Sequence, residues 1–148
     1  MKTGKLLQQA LGSQIFLDTG NGYGSTNNKI RRFTNSTITG TVLTYADSAA
    51  NGMTITASVA CIVAVTYIEG NATGRFGISK NNNELTTAVQ SIAGDSRYGN
   101  QQVYSGDFAT VSATIVCAAG DVIRAHTDGA AQAASAQNNF RAIVIALL

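Results

Sequence analysis

Proline and tryptophan are absent from this 148-residue chain, histidine occurs once, and only 12% of residues are charged. Without proline, the turns fall to glycine, asparagine and aspartate, which punctuate the chain at short intervals. The charged share is about half that of an ordinary soluble domain. A net charge of +2 is too small to argue for nucleic acid or an anionic membrane as partner. No apolar run approaches the about 18 residues of a membrane-spanning helix. His126, the single histidine, has no second imidazole with which to ligate a metal, and it reads as a surface or interface residue. Cys61 and Cys117 lie inside apolar strand patterns at a spacing that matches no metal motif, and they read as buried free thiols, with a disulfide between them as the alternative. The chain lacks a paired acid, a nucleophile elbow and a ligand cluster, so no enzyme activity, cofactor or metal is expected. The opening MKTGKLLQQALGSQIF has the lysines of a secretory leader, but Gln8 and Gln9 interrupt its apolar core, so no leader is expected.

What the chain does have is alternation. In FATVSATIVCAAGDVIRAHT, over residues 108–127, Ala109, Val111, Ala113, Ile115 and Cys117 alternate with Thr110, Ser112, Thr114 and Val116. That is the period of a half-buried strand. Gly120 and Asp121 can reverse the chain, so an antiparallel hairpin is expected there. Met53, Ile55, Ala57 and Val59 repeat the pattern. Strands are also expected over 29–34, 41–45 and 61–68, and over 74–80 paired with 85–92 through Asn81-Asn82-Asn83-Glu84. Residues 95–102 and 128–139 read as polar loops. CIVAVTYI (61–68) and the closing FRAIVIALL (140–148) are apolar on both faces and need cover on both sides. A neighbouring subunit is the economical second cover.

Roughly nine such strands with turn signals between them argue a two-sheet sandwich. A chain of this length buries about 70% of its unfolded surface in one domain. The expected fold is therefore all-β, a sandwich of about eight to ten antiparallel strands with a short N-terminal arm. Residues 1–28 are read as arm and linker and 29–148 as the domain. The boundary rests on DTGNGYGSTNN (18–28), whose glycines form no phosphate loop because no helix pattern follows.

Candidate contact residues follow from this division. Lys2, Lys5, Leu6, Leu7, Leu11, Ile15 and Phe16 combine apolar anchors with positive charge. The helical turn among them is too short to stand alone, so it docks either on its own domain or on a partner. Arg31 and Arg32 form a basic cluster with Lys29, read as a charged sheet edge or as a link to an adjacent subunit. Tyr67, Phe140, Ile143 and Ile145, on the two-faced strands, are the other candidate subunit contacts. Tyr98 and Tyr104 lie where a glycan ring could stack. Asp121 and Asp128 fall short of a calcium cage.

The order ITASVACIVAVTY, GRFGISKNNNEL, ATVSATIVCAAGDVIRAHTDG, NNFRAIVIAL resembles the jelly roll shared by complement globular heads and tumour necrosis factor. Cys61 and Val63 depart from it, standing where that family usually has glycine and tyrosine. IRRFTN, TYADSAANG, ISKNNNELTTAVQSI and AAGDVIRAHTDG also resemble C-terminal modules of bacteriophage virion proteins: tail fibres, head fibres and capsid decoration proteins. The resemblance covers residues 29–148. It implies a jelly-roll homotrimer with the two doubly apolar strands at the three-fold axis. By the same resemblance the chain is a virion structural protein, made in the host cytoplasm and carried on the capsid surface. There it would be a decoration or cement protein gripping the major capsid protein or other virion proteins through its arm. The alternative is the head of a tail or head fibre that binds a receptor or host-surface glycan.

Overall fold

The structure, a computed structural model, describes residues 12–24, 29–70, 74–83, 85–104, 106–128 and 135–148. Ten strands run through these residues. They are β1 (Gln14–Tyr23), β2 (Arg31–Thr39), β3 (Leu43–Ser48), β4 (Gly52–Ala57), β5 (Cys61–Gly70), β6 (Gly74–Lys80), β7 (Arg97–Val103), β8 (Phe108–Cys117), β9 (Val122–Thr127) and β10 (Ser135–Leu147). They form two five-stranded sheets, ordered β2-β1-β10-β5-β8 and β3-β4-β9-β6-β7. Every strand pairing is antiparallel. The all-β sandwich expected from the alternation is the fold observed.

The core lies between the sheets. Cys61, Val63, Val65 and Tyr67 of β5 point inward, as do Phe140, Ala142 and Val144 of β10 and Val111, Ile115 and Cys117 of β8. Met53 and Ile55 of β4, Ile123 and Ala125 of β9, and Phe76 and Ile78 of β6 meet them from the other sheet. Tyr67 lies edge-on to Phe76, ring centroids 5.1 Å apart, and 5.6 Å from Phe140. Aromatic edges prefer such tilted contacts, and here they join the two layers.

Four expectations are corrected. The first is the arm boundary, because Gln14–Tyr23 is strand β1, hydrogen-bonded between β2 and β10. Ile15 and Leu17 are fully buried on its inner side. Its polar second half keeps strand geometry because ladder partners on both sides satisfy the backbone. A bulge at Thr19, φ 57°, absorbs the irregularity. The second is the hairpin over 108–127. The chain does reverse there, with Gly120 at φ 90°, but β8 pairs with β5 while β9 pairs with β4 and β6 in the opposite sheet. The turn therefore passes between layers. It is held on the end of β4 by hydrogen bonds from Gly120 N to Ala57 O and from Ala57 N to Asp121 O, at 2.8 and 3.0 Å.

The third is the partner of β6. Residues 85–92 form turns and a short 3-10 helix, Val89–Ser91, and β6 pairs instead with β7, which the sequence reads as a polar loop. Val89 and Ile92 are buried because this segment lies on the outer face of the second sheet. There a Cβ on Gly77 would sit 3.2 Å from Val89 Cγ1. Fourth, β10 begins at Ser135, within the segment read as a loop. Asn81 meets expectation, turning the chain at φ 56°.

Candidate subunit face

The outer surface of the β2-β1-β10-β5-β8 sheet is the candidate site. Antiparallel register places directly opposed side chains on one face, so its rows follow from the pairing. One row runs Gln14, Ile143, Ala64, Thr114. The row above is Ala146, Ile62, Val116, and the row below is Phe16, Arg141, Thr66, Ser112. At the β10 bulge between Val144 and Ala146, Ile145 stands out from the sheet, 49% exposed, and Val116 is 57% exposed. Across these rows Arg141 is the single charge. It donates from Nη2 to Gln14 Oε1 at 3.4 Å. The upper part of the face is thus apolar and open, and the lower part is lined by short hydroxyl side chains. This matches the strands apolar on both sides in the sequence: one side fills the core and the other faces out.

The candidate contact residues divide accordingly. Ile143 and Ile145 lie on this face, and Phe16 joins them at 38% exposure. Ile15 does not, because it fills this chain's own core. Lys2, Lys5, Leu6, Leu7 and Leu11 lie outside the described residues. Tyr67 and Phe140 point inward with no exposed surface, so strand parity removes them from any subunit contact. Ile62, Ala64 and Val116 take their place. The signal for them was the second parity of CIVAVTYI and of the strand ending in Val116-Cys117.

Arg31 is also corrected, since it is wholly buried in an ion pair with Glu69. Its Nε lies 3.1 Å from Glu69 Oε2, close but without hydrogen-bond alignment. Its Nη2 donates to Glu69 Oε1 at 3.2 Å, and its Nη1 donates to Gly22 O at 3.2 Å. Tyr67 Oη donates to Glu69 Oε2. Asn138 donates to Glu69 Oε1 at 2.8 Å and accepts from Gly70 N at 3.1 Å. Burial raises the Glu69 carboxyl above its ordinary value, against the opposing pull of Arg31. These partners make a closed internal network where the sequence suggested a surface cation. Arg32 remains at the surface, donating through Nε and Nη2 to Asp47 Oδ2 at 3.0 and 2.9 Å.

Tyr98 is half-buried against the core, whereas Tyr104 is 62% exposed just past the other end of β7. The structure does not bring the two rings together. His126, expected at the surface or an interface, is fully buried within the chain itself, and neither ring nitrogen has a hydrogen-bond partner among the described residues. Burial, with nearby Arg124, pushes its pKa down to about 3, so the imidazole is neutral. Among the described residues no His/Cys/Asp/Glu group could hold a metal ion.

No protein-family model matches the chain, and no curated protein does. Solved structures do. GITRL from bushbaby superposes with a TM-score of 0.58 at 10% identity, over 92% of this chain and 96% of that one. Murine APRIL at pH 8.5 gives 0.54 at 12% identity, over 89% and 97%. Eiger TNF from S. frugiperda gives 0.54 at 10% identity, over 90% of each. The fold is a TNF-like jelly roll. At such identities the likeness establishes architecture alone.

Proposed function

We propose that this jelly roll is a non-enzymatic assembly protein. In this reading it forms a homotrimer through the outer face of the β2-β1-β10-β5-β8 sheet and serves on a virion as a decoration protein. The observation that carries the reading is the apolar patch of Ile62, Ala64, Val116, Ile143 and Ile145 on the face of the sheet away from the core, where Val116 and Ile145 are 57% and 49% exposed. Exposed apolar clusters of this kind are covered by a partner in stable proteins. A second and a third copy provide that cover with closed symmetry. The virion role is supported by the resemblance of IRRFTN, TYADSAANG and AAGDVIRAHTDG to phage modules, and by the low surface charge.

Light scattering on the full chain tests the assembly. The wild-type chain is expected at three times the monomer mass. Ile145→Arg, which places a charge in the patch, is expected as a folded monomer. A wild-type monomer would refute the trimer. Immunogold labelling of intact particles tests the role: label over the capsid supports decoration, and no label removes the virion. Arm deletion must stop before Gln14, because Ile15 and Leu17 belong to the core. Loss of residues 1–11 is expected to leave the trimer intact and abolish particle attachment.

A further inference from the structure

Cys61 opens β5 and Cys117 closes β8, and the register sets them directly opposite one another as the last pair of that ladder. Both side chains are buried, at 0% and 1% exposure, and both are thiols in this structure. Directly opposed residues on antiparallel strands hold their Cα atoms about 4.5–5.5 Å apart. A disulfide spans Cα separations of roughly 4.4–6.8 Å. The pair also lies between two turns. Beyond Cys117 the chain enters the Ala118–Asp121 turn, closed by a hydrogen bond from Asp121 N to Ala118 O at 3.2 Å. Before Cys61 it bends through residues 58–60. The two thiols are thus neighbours at the end of a ladder whose flanks are turns.

We propose that Cys61 and Cys117 form an oxidisable dithiol site, which closes to a cross-strand disulfide with hydrogen peroxide as the oxidant. One thiolate displaces hydroxide from peroxide and becomes a sulfenic acid. The second sulfur then displaces the sulfenic oxygen as water. The S–S bond forms, the O–O bond breaks, two electrons pass from the sulfurs to peroxide, and both thiol protons end in water. Peroxide is small enough to enter when the strand ends open locally. Burial raises both thiols, and Cys117 stands near 11, so closure is slow in the native state. The bond would staple β8, an edge strand, to β5 beside Ile62 and Val116 on the opposite face.

The test uses the full chain, purified reduced and then exposed to peroxide. It is afterwards denatured and alkylated for intact-mass and peptide mass spectrometry. Expected are loss of both alkylatable thiols, a Cys61–Cys117 peptide pair within one chain, and a Tm higher by roughly 10 °C. The Tm rise should reverse with dithiothreitol. Cys61→Ala and Cys117→Ala should show neither the internal pair nor the reversible rise. Two thiols still alkylatable after peroxide would overturn the proposal. So would cross-links only between chains, or a lone sulfinic acid without the pair. The outcome is independent of the trimer, since the pair lies within one chain and either result can accompany any mass in light scattering.

Discussion

Acidification from pH 7 to pH 5 is expected to cost the folded chain about 2 kcal/mol through His126 alone. The imidazole sits at 0% exposure without a hydrogen-bond partner among the described residues, and its folded pKa is about 3 against an ordinary 6.5. Below pH 6.5 the unfolded chain binds a proton that the folded chain does not accept. Stability therefore falls as pH drops through 6.5, by about 1.4 kcal/mol per unit, and levels off once the folded pKa is passed. Carboxyl groups add a pH dependence of their own. Asp121 is lowered through its bonds to Asn81, Ala118 and Lys80, which outweigh its desolvation, while burial raises Asp128. The comparison that isolates His126 is urea unfolding of the wild type and of His126→Leu, each at pH 7 and pH 5. Chain concentration is held fixed because an oligomer's stability depends on it. His126→Leu should equal or exceed wild type at pH 7, since it removes two unbonded polar nitrogens at similar volume. At pH 5 it should gain a further 2 kcal/mol or so over wild type. Identical pH slopes in the two proteins would refute the reasoning and show that the ring is protonated or hydrated in the fold.

Further outcomes can be read from stability alone. Gly20→Ala would put its Cβ 2.6 Å from Arg31 Nη2 and 2.9 Å from Asn138 Cβ, and is expected to lower unfolding free energy by about 1–3 kcal/mol in urea titration. Glu69→Gln leaves the wholly buried Arg31 guanidinium without its counter-charge, and should cost about 3–5 kcal/mol. The double variant Arg31→Met with Glu69→Leu should recover much of that loss, measured by Tm, because no lone charge then remains inside. Failure of the double variant to recover would mean that the network, through Tyr67 and Asn138, shapes the fold beyond its charge balance.

Alternation was legible wherever one face of a strand is buried. Met53–Ile55–Ala57, Cys61–Tyr67 and Val111–Cys117 all showed in the sequence because side-chain parity records the buried side directly. β1 and β7 were not legible. Gly20, Asn21 and Gly22, or Gly99 to Gln102, carry little apolar pattern, and backbone hydrogen bonds to neighbours distant in sequence make them strands. The candidate face was half legible. That two strands needed cover on both sides could be read, and Ile143 and Ile145 with it. Tyr67 and Phe140 were assigned outward because apolarity on both parities does not say which parity looks in.

Sequence alone determined that the molecule is built of strands with a low-charge surface, that Gly120 and Asn81 turn the chain, and that apolar surface remains to be covered. These are local properties, set by side-chain period and by the conformations single residues tolerate. Only the tertiary structure decided that β8 and β9 part to opposite sheets, that Arg31 turns inward to Glu69, that His126 is buried, and that Cys61 faces Cys117. Each of those depends on which distant strand lies alongside. Pairing is chosen by the fit of whole faces across the sandwich, and no short stretch of chain contains that information.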